Sequence, residues 1–132
     1  MNFDFSEEQN ILRDQARKFL NDRSPPAAVR AVLEDDAASH DEELWQDMAR
    51  LGWVGTTIPE EYGGAGTDHV AYALAMEEVA VGDVGTSTAM SVNNALVCAG
   101  ILGFGSEEQK ERFLKPLARG EMLGAFCLTE PH

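Results

Sequence analysis

Two glycine-rich stretches are the places where this sequence could bind a phosphate, because backbone amides in such loops can face anions. The first, GGAGTD at 63–68, departs from the dinucleotide pattern GxGxxG because His69 takes the position of the third glycine. The second, GFGSEE at 103–108, ends on Glu107 and Glu108, whose charges would repel a pyrophosphate. Neither has the Gly-Lys-Ser/Thr end of a P-loop. We therefore predict no self-contained nucleotide site and interpret the first stretch as a tight connection between helices.

Residue types that bind metals or act as nucleophiles are present but scattered. The histidines, His40, His69 and His132, show no HExxH or comparable ligand spacing, so no metal site is predicted. Cys98 and Cys127 lack a CxxC spacing and stand in apolar stretches, which favours two reduced, packed thiols over a disulfide. No serine or cysteine lies in a nucleophile elbow, which disfavours a hydrolase.

Pairs of acidic residues are abundant and could perform acid–base chemistry, but three of these pairs open predicted helices. The pairs occupy positions 7 and 8, 42 and 43, and 107 and 108. Acids in a first helical turn stabilise the helix through its macrodipole. We interpret them as stabilising and solubilising groups and predict no catalytic residue in this chain.

Three polar residues in apolar surroundings remain as candidates. Asn93 and Asn94 interrupt the run TSTAMSVNNALVCAGIL, and Thr129 ends the alternating run MLGAFCLT. Buried polar groups need hydrogen-bond partners. For the asparagines we favour a bond between helices over a functional contact.

The composition bounds the class of protein. With 132 residues and 44% hydrophobic content, the chain can build one core. Its 23 acidic against 10 basic residues give a net charge of -13, which disfavours nucleic acid and anionic lipid as partners. The N-terminus lacks signal- and transit-peptide features, and we expect no segment to approach the roughly 18 apolar residues of a membrane span. We predict a cytoplasmic protein.

Helical signals precede the only strand signal. A capping box at Ser6 opens the first helix, the pair Pro25 and Pro26 starts the second, and Gly52 closes the third. The predicted buried faces are Val29, Val32 and Leu33 in the second helix and Leu44, Trp45, Met48 and Leu51 in the third.

The second half of the chain continues this pattern. Thr67 is predicted to cap a helix that ends at Gly82, and residues 86–102 are apolar nearly all round, as in the centre of a bundle. A second capping box at Ser106 opens a helix that Pro116 ends or kinks. From Met122 the period changes to two and predicts a strand. The predicted fold is an all-α bundle followed by a first strand.

Five segments in order resemble the N-terminal part of the acyl-CoA dehydrogenase family. They are FSEEQNILRDQARKFL, LWQDMARLGWVGTTIPEEYGG, MEEVAVGD, FGSEEQKERFLKPLARGE and GAFCLTEP. The SVNN helix is most similar to the short-chain branch. The resemblance implies an N-terminal helical domain at 1–120 and the start of a middle β-domain at 121–132, truncated within its flavin motif.

The resemblance also implies an activity. Such enzymes bind FAD between the β-domain and a C-terminal helical domain and are usually homotetramers. A glutamate of the C-terminal domain removes the α-proton of an acyl-CoA, and hydride transfer to the flavin gives a 2-enoyl-CoA. An electron-transferring flavoprotein then takes the electrons. The place of such a reaction is fatty acid metabolism.

The resemblance assigns roles to a few residues of this chain. Thr129 would bond the pyrimidine edge of the flavin, with Phe126 and Leu128 adding backbone contacts and packing, while Glu130 is interpreted as structural. Part of the acyl pocket would come from three residues that share one helix face: Ala89, Val92 and Leu96. The alternative is that these residues are plain core of the bundle.

Two other classes stay open on the sequence alone. Because the base lies outside residues 1–132, we expect this chain to be inactive by itself. It could be a non-catalytic helical interaction module of the same fold. An acyl-CoA oxidase or a flavin monooxygenase would share the same N-terminal region.

Overall fold

The computed structural model describes residues 4–129. We number six helices in this part of the chain: α1 (Glu7–Arg23), α2 (Pro26–Leu33), α3 (Glu42–Arg50), α4 (His69–Gly82), α5 (Val84–Phe104) and α6 (residues 107–118). Two short 3₁₀ turns, Trp53–Gly55 and Glu60–Tyr62, lie between α3 and α4. The described residues contain no strand, so the predicted all-α fold is confirmed.

The predicted strand from Met122 is not formed. Residues 121–129 have neither helical nor strand structure. A strand is stable when a second strand pairs with its amide and carbonyl groups, and residues 4–129 offer no such partner. The alternating apolar residues favour a strand, but residues 4–129 contain no second strand to pair with it.

Both predicted capping boxes are present. The Ser6 hydroxyl accepts from the Gln9 amide at 3.2 Å, and the Gln9 side chain accepts from the Ser6 amide at 3.0 Å. Ser106 and Gln109 make the same reciprocal pair at 3.2 and 2.8 Å. These pairs satisfy amides that a helix start leaves free.

The cap of α4 differs from the prediction. Asp68, and not Thr67, caps this helix, because its carboxylate accepts from the amide of Ala71 at 2.8 Å. The Thr67 hydroxyl instead donates to the carbonyl of Thr56 at 3.0 Å and closes the preceding loop. The predicted end at Gly82 is confirmed.

Two predicted buried faces differ from the expectation: no residue of α2 is buried, although Val29 and Val32 are half-buried, and the face of α3 is narrower than predicted. α2 begins at Pro26 with Pro25 as its N-cap, and its last residue, Leu33, is 80% exposed. Leu51, directly after α3, is 50% exposed. Both leucines end their helices, where the chain turns away from the core. The other three predicted residues of α3 are buried: Leu44, Trp45 and Met48.

The core consists of two clusters. The first joins α1, α3, α4 and the start of α5, and it includes an edge-to-face contact of Phe19 with Trp53 at a centroid distance of 5.3 Å. The second joins the loop after α3 to α5 and α6: Ile58, Cys98, Leu114, Leu117 and Ala118. α5 thus contributes to both clusters.

A buried carboxylate ties α1 to α4. Glu78 is 4% exposed and accepts from Arg17 twice, from Nε at 2.9 Å and from Nη2 at 2.5 Å. A bidentate guanidinium satisfies a buried carboxylate well. The hydrogen bond to Glu78 raises the pKa of Arg17 above its usual value.

α5 turns a polar face to the bundle and apolar residues to the outside. Its buried residues are Thr86, Ser87, Met90, Asn93, Asn94 and Cys98. Val84, Leu96 and Phe104 are exposed. The predicted central position is therefore correct for one face only. By length and composition the helix could span a membrane, contrary to our expectation, although core helices of soluble proteins pass the same test.

α5 and α6 each contain a π-helical turn. The turn in α5 is Val92–Cys98, and the turn in α6 is Lys110–Leu114. The second lies just before Pro116, and the helix runs past this proline to Ala118. Proline has no amide hydrogen to donate, and its ring clashes with the carbonyl four residues earlier. A π turn is one way for a helix to accommodate this missing hydrogen bond and the clash.

The loop 55–67 is a tight connection, as predicted. Its backbone bonds to itself, from Ala65 N to Gly55 O at 3.0 Å and from Gly66 N to Ile58 O at 2.9 Å. At Gly64 a Cβ atom would lie 2.1 Å from the carbonyl oxygen of Ile58. Only glycine fits there, because the backbone of the loop is packed against itself.

Candidate functional site

The candidate site lies where the chain leaves α6 and crosses α5. Asn93, in the π turn of α5, is fully buried. Its amide nitrogen donates to the carbonyls of Val54 and Leu117, each at 3.2 Å. Its carbonyl oxygen accepts from the amide of Gly124 at 3.0 Å. The predicted bond within the bundle is thus confirmed for Asn93, which also holds the C-terminal segment.

Glycine is required where this segment meets α5. A Cβ atom at Gly124 would lie 2.9 Å from Cγ1 of Val97 and 3.0 Å from its Cβ. These distances are closer than side-chain contacts allow, so the backbone can approach α5 only without a side chain. A glycine within an alternating apolar run indicates such an approach, and this signal was available in the sequence.

The same segment is held four residues earlier. The carbonyl of Gly120 accepts from Trp45 Nε1 at 3.3 Å and from Gln46 Nε2 at 3.1 Å, both on α3. Residues 120–124 are therefore fixed at both ends, to α3 and to α5. No pattern in the sequence indicates these contacts, because their partners lie 75 and 74 residues away.

The predicted flavin-contacting residues follow this fixed stretch. Phe126 is 52% exposed and Leu128 is 79% exposed. Thr129 is exposed too, and within residues 4–129 its hydroxyl has no hydrogen-bond partner. Glu130, to which we gave a structural role, lies outside the described residues. The segment thus presents polar backbone and apolar side chains that the described residues do not cover.

Asn94 stands beside Asn93 but contacts a different part of the chain. It is fully buried, and its carbonyl oxygen accepts from the Thr57 hydroxyl at 3.0 Å. Its amide nitrogen is buried without a partner in the described structure. The bond between helices predicted for Asn94 is therefore wrong, because its one partner, Thr57, lies in the loop after α3, where no local pattern indicates it.

The three predicted pocket residues do not share one environment. Ala89 is half-buried and packs against the first core cluster. Val92 is half-buried, and Leu96 is 45% exposed. On the outer side of the same helix, a Cβ atom at Gly100 or Gly103 would meet no other atom within 4 Å. Open space therefore adjoins the part of α5 that carries Leu96.

The two cysteines differ. Cys98 is fully buried, and burial raises the pKa of its thiol to about 12. Cys127 is exposed, which corrects the expectation that both thiols are packed. No disulfide joins them, as predicted. Among residues 4–129, no group of three or more His, Cys, Asp or Glu side chains could hold a metal ion.

Comparisons with known proteins agree on one family. The model of the acyl-CoA dehydrogenase N-terminal domain matches residues 6–121. The probable acyl-CoA dehydrogenase YngJ of Bacillus subtilis is 40% identical over all of this chain and 34% of its own length. The mitochondrial short-chain specific acyl-CoA dehydrogenase of Sus scrofa is 38% identical over 95% of this chain and 30% of its own length.

Solved structures show the same fold. A chain in the structure of the electron transferring flavoprotein of Acidaminococcus fermentans superposes with a TM-score of 0.85, 40% identity and 99% coverage of this chain. For butyryl-CoA dehydrogenase of Megasphaera elsdenii the values are 0.81, 36% and 99%. For glutaryl-CoA dehydrogenase of Mycobacterium smegmatis with FADH2 they are 0.83, 32% and 96%.

These matches cover only part of each relative. This chain spans about a third of the length of those relatives, between 30% and 34%. The family model covers the six helices described above, and the match to YngJ also covers the segment that Asn93 holds. The chain therefore belongs to the acyl-CoA dehydrogenase family, whose N-terminal domain it matches over residues 6–121.

Proposed function

We propose that this chain forms the N-terminal part of an FAD-dependent acyl-CoA dehydrogenase that works within a longer polypeptide. The observation that carries the proposal is the segment 125–129, which is held at its start by α5 and leaves its own polar groups free. Relatives named as acyl-CoA dehydrogenases support the reaction, and a relative solved with FADH2 supports the cofactor.

The residues of the segment fit the polar edge of a flavin. The hydroxyl of Thr129 and the neighbouring backbone amides are donors without partners in residues 4–129. Donors aimed at an edge that gains negative charge on reduction stabilise that charge. The exposed side chains of Phe126 and Leu128 supply apolar contact for the rest of a ring system. FAD, when bound, would accept the hydride from the acyl-CoA.

The outer side of α5 fits an apolar acyl chain. Leu96 and Val92 provide apolar surface, and the space beside Gly100 and Gly103 is open. These residues would bind the chain and exclude water, while the base that removes the α-proton would come from elsewhere in the enzyme. The similarity to short-chain specific and butyryl-CoA dehydrogenases favours a short acyl group.

The partner that takes the electrons would be an electron-transferring flavoprotein. A chain from the structure of such a protein of Acidaminococcus fermentans is among the most similar structures. We further propose a homotetramer as the assembled enzyme. Residues 1–132 alone would be inactive and would lose FAD on desalting, because most cofactor contacts would be absent.

The function is tested with the complete protein and two variants of Thr129. We expect a yellow protein that converts butyryl-CoA to the 2-enoyl-CoA and passes electrons to an electron-transferring flavoprotein. Thr129→Val should lower this rate roughly a hundredfold, as loss of a donor to developing charge does. Thr129→Ser keeps the hydroxyl and serves as the control.

Two results would contradict the proposal. One is a complete protein that contains no flavin by absorbance after desalting. The other is a Thr129→Val enzyme with the rate of the unchanged protein. Rapid reoxidation of the reduced flavin by oxygen would instead indicate an oxidase or monooxygenase.

A further inference from the structure

Asn93 uses its whole amide group to join three separate parts of the chain. Both hydrogens of its nitrogen are engaged, by the carbonyls of Val54 and Leu117, and its oxygen binds the amide of Gly124. The side chain is fully buried, so water does not compete for these bonds. The amide of Gly124 thus has a fixed place relative to the core.

Gly124 adds a second, steric constraint at the same point. Its backbone lies against Val97, one π turn along from Asn93, with no room for a Cβ atom. The hydrogen bond and the close approach are independent observations that fix the same residue. Together they determine where the segment leaves α5.

We propose that Asn93, together with Gly124 and Val97, positions the flavin-contacting segment, a role that rests on the function proposed above. Thr129 follows Gly124 by five residues, which is a reach of at most about 18 Å in an extended chain. No hydrogen bond joins residues 125–129 to the rest of residues 4–129. Gly124 is therefore the last residue before Thr129 that a hydrogen bond fixes to the described structure.

The neighbouring Asn94 separates positioning from simple support of the core. It is as buried as Asn93 and lies on the same helix, but its bond goes to Thr57 and not to residues 120–129. Loss of either asparagine removes a buried amide. Only loss of Asn93 frees Gly124.

The first test measures amide hydrogen exchange of the peptide covering residues 121–129 in the complete protein. We expect Asn93→Ala to speed exchange of this peptide roughly tenfold, the effect of one lost hydrogen bond to a buried group. Asn94→Ala should leave it unchanged. Equal protection in the two variants would overturn the proposal, whether or not the protein holds flavin.

A second pair of variants keeps the test decisive if Asn93→Ala fails to fold. Gly124→Ala should speed exchange of the same peptide by displacing it from Val97. The double variant with Val97→Ala removes Cγ1 and Cγ2 of Val97 but keeps its Cβ atom at 3.0 Å, and it should restore part of the protection. A Gly124→Ala protein with unchanged exchange, or a double variant that restores nothing, would also overturn it.

The link to the cofactor is measured separately, by the affinity for FAD and the absorbance spectrum of the bound flavin. Asn93→Ala and Gly124→Ala should weaken FAD binding roughly tenfold and shift the spectrum, as a displaced donor would. Asn94→Ala should resemble the wild-type protein, and the double variant should recover part of the affinity for FAD. If the segment loosens and FAD binding stays the same, the segment does not position a flavin contact.

Discussion

Cys98 shows how one residue of α5 responds to burial. Its thiol has a pKa near 12, because the surrounding second core cluster does not solvate a thiolate. Cys127 is exposed in the segment that Gly124 begins. The two cysteines should therefore react very differently, although the sequence places both in apolar runs.

This difference can be measured with a thiol reagent. At pH 8 we expect Cys127 to be alkylated by iodoacetamide at once and Cys98 only after unfolding. Fold stability should also depend on Cys98. Its folded pKa of about 12 exceeds the unfolded value of 9.0, so its contribution is complete below pH 9 and is lost as the pH rises towards 12.

The expected loss in this range is up to about 1.4 kcal/mol per pH unit. Thermal unfolding between pH 8 and 11 measures it, and Cys98→Ala supplies the control, because that variant lacks the titrating group. An equal dependence of stability on pH in the wild-type protein and in Cys98→Ala would contradict the prediction. So would labelling of Cys98 in the folded state.

Two glycines show what the elements of the fold tolerate. Gly64 lies in the tight loop before α4, where a Cβ atom would meet two backbone carbonyls. Gly100 lies inside α5, where a Cβ atom would meet nothing. The same substitution should therefore have opposite effects at the two positions.

We expect Gly64→Ala to lower the stability of the fold by several kcal/mol or prevent folding, since the carbonyls of Ile58 and Gly55 would have to move. Gly100→Ala should raise stability by up to about 1 kcal/mol, because alanine is the better helix former. Urea unfolding of both variants measures this. A stable Gly64→Ala protein would contradict the packing described for the loop.

The same elements show how far local sequence determines structure. Capping boxes, the helix end at Gly82 and the buried residues of α3 follow from neighbours three or four residues apart, and the sequence predicts them. The cap at Asp68 was missed because Thr67 has the same chemistry and stands next to it. The partners of Asn93 lie 24, 31 and 39 residues away, which no periodicity detects.

The whole molecule combines strong acidity with an exposed apolar helix face. A net charge of -13 should keep copies of the 132-residue chain apart at low ionic strength. Salt screens this repulsion, with a Debye length of about 3 Å at 1 M. Apolar side chains such as Leu96 and Phe104 are exposed on α5, and their mutual attraction does not depend on charge.

We therefore expect the 132-residue chain to associate with itself more strongly as salt is raised. Sedimentation velocity at low and high NaCl measures this, and the double variant Leu96→Ser/Phe104→Ser, with a less apolar face, should sediment as a monomer in both. A sedimentation coefficient that does not change with salt would show that the exposed face of α5 does not mediate self-association.

The sequence predicts the fold class and the family better than it predicts the contacts of the candidate site. The all-α fold follows from helix signals along most of the chain, and the family follows from five segments in order. The inward polar face of α5 could not be predicted, because nearly every residue of that helix is apolar or small. Which side faces the core depends on contacts with distant elements.

The π turn in α5 changes what the loss of one residue would do to the helix. Each residue advances an α-helix by about 100°, and a π turn accommodates one residue more than an α turn. Loss of one residue from Val92–Cys98 could leave a regular helix. In a regular α-helix the loss of one residue would rotate everything after it by about 100°, but the π turn holds its additional residue locally, so Ala99–Phe104 would keep their orientation relative to Asn93. In this segment a gap of one residue in an alignment would therefore leave the same side of the helix facing the second core cluster.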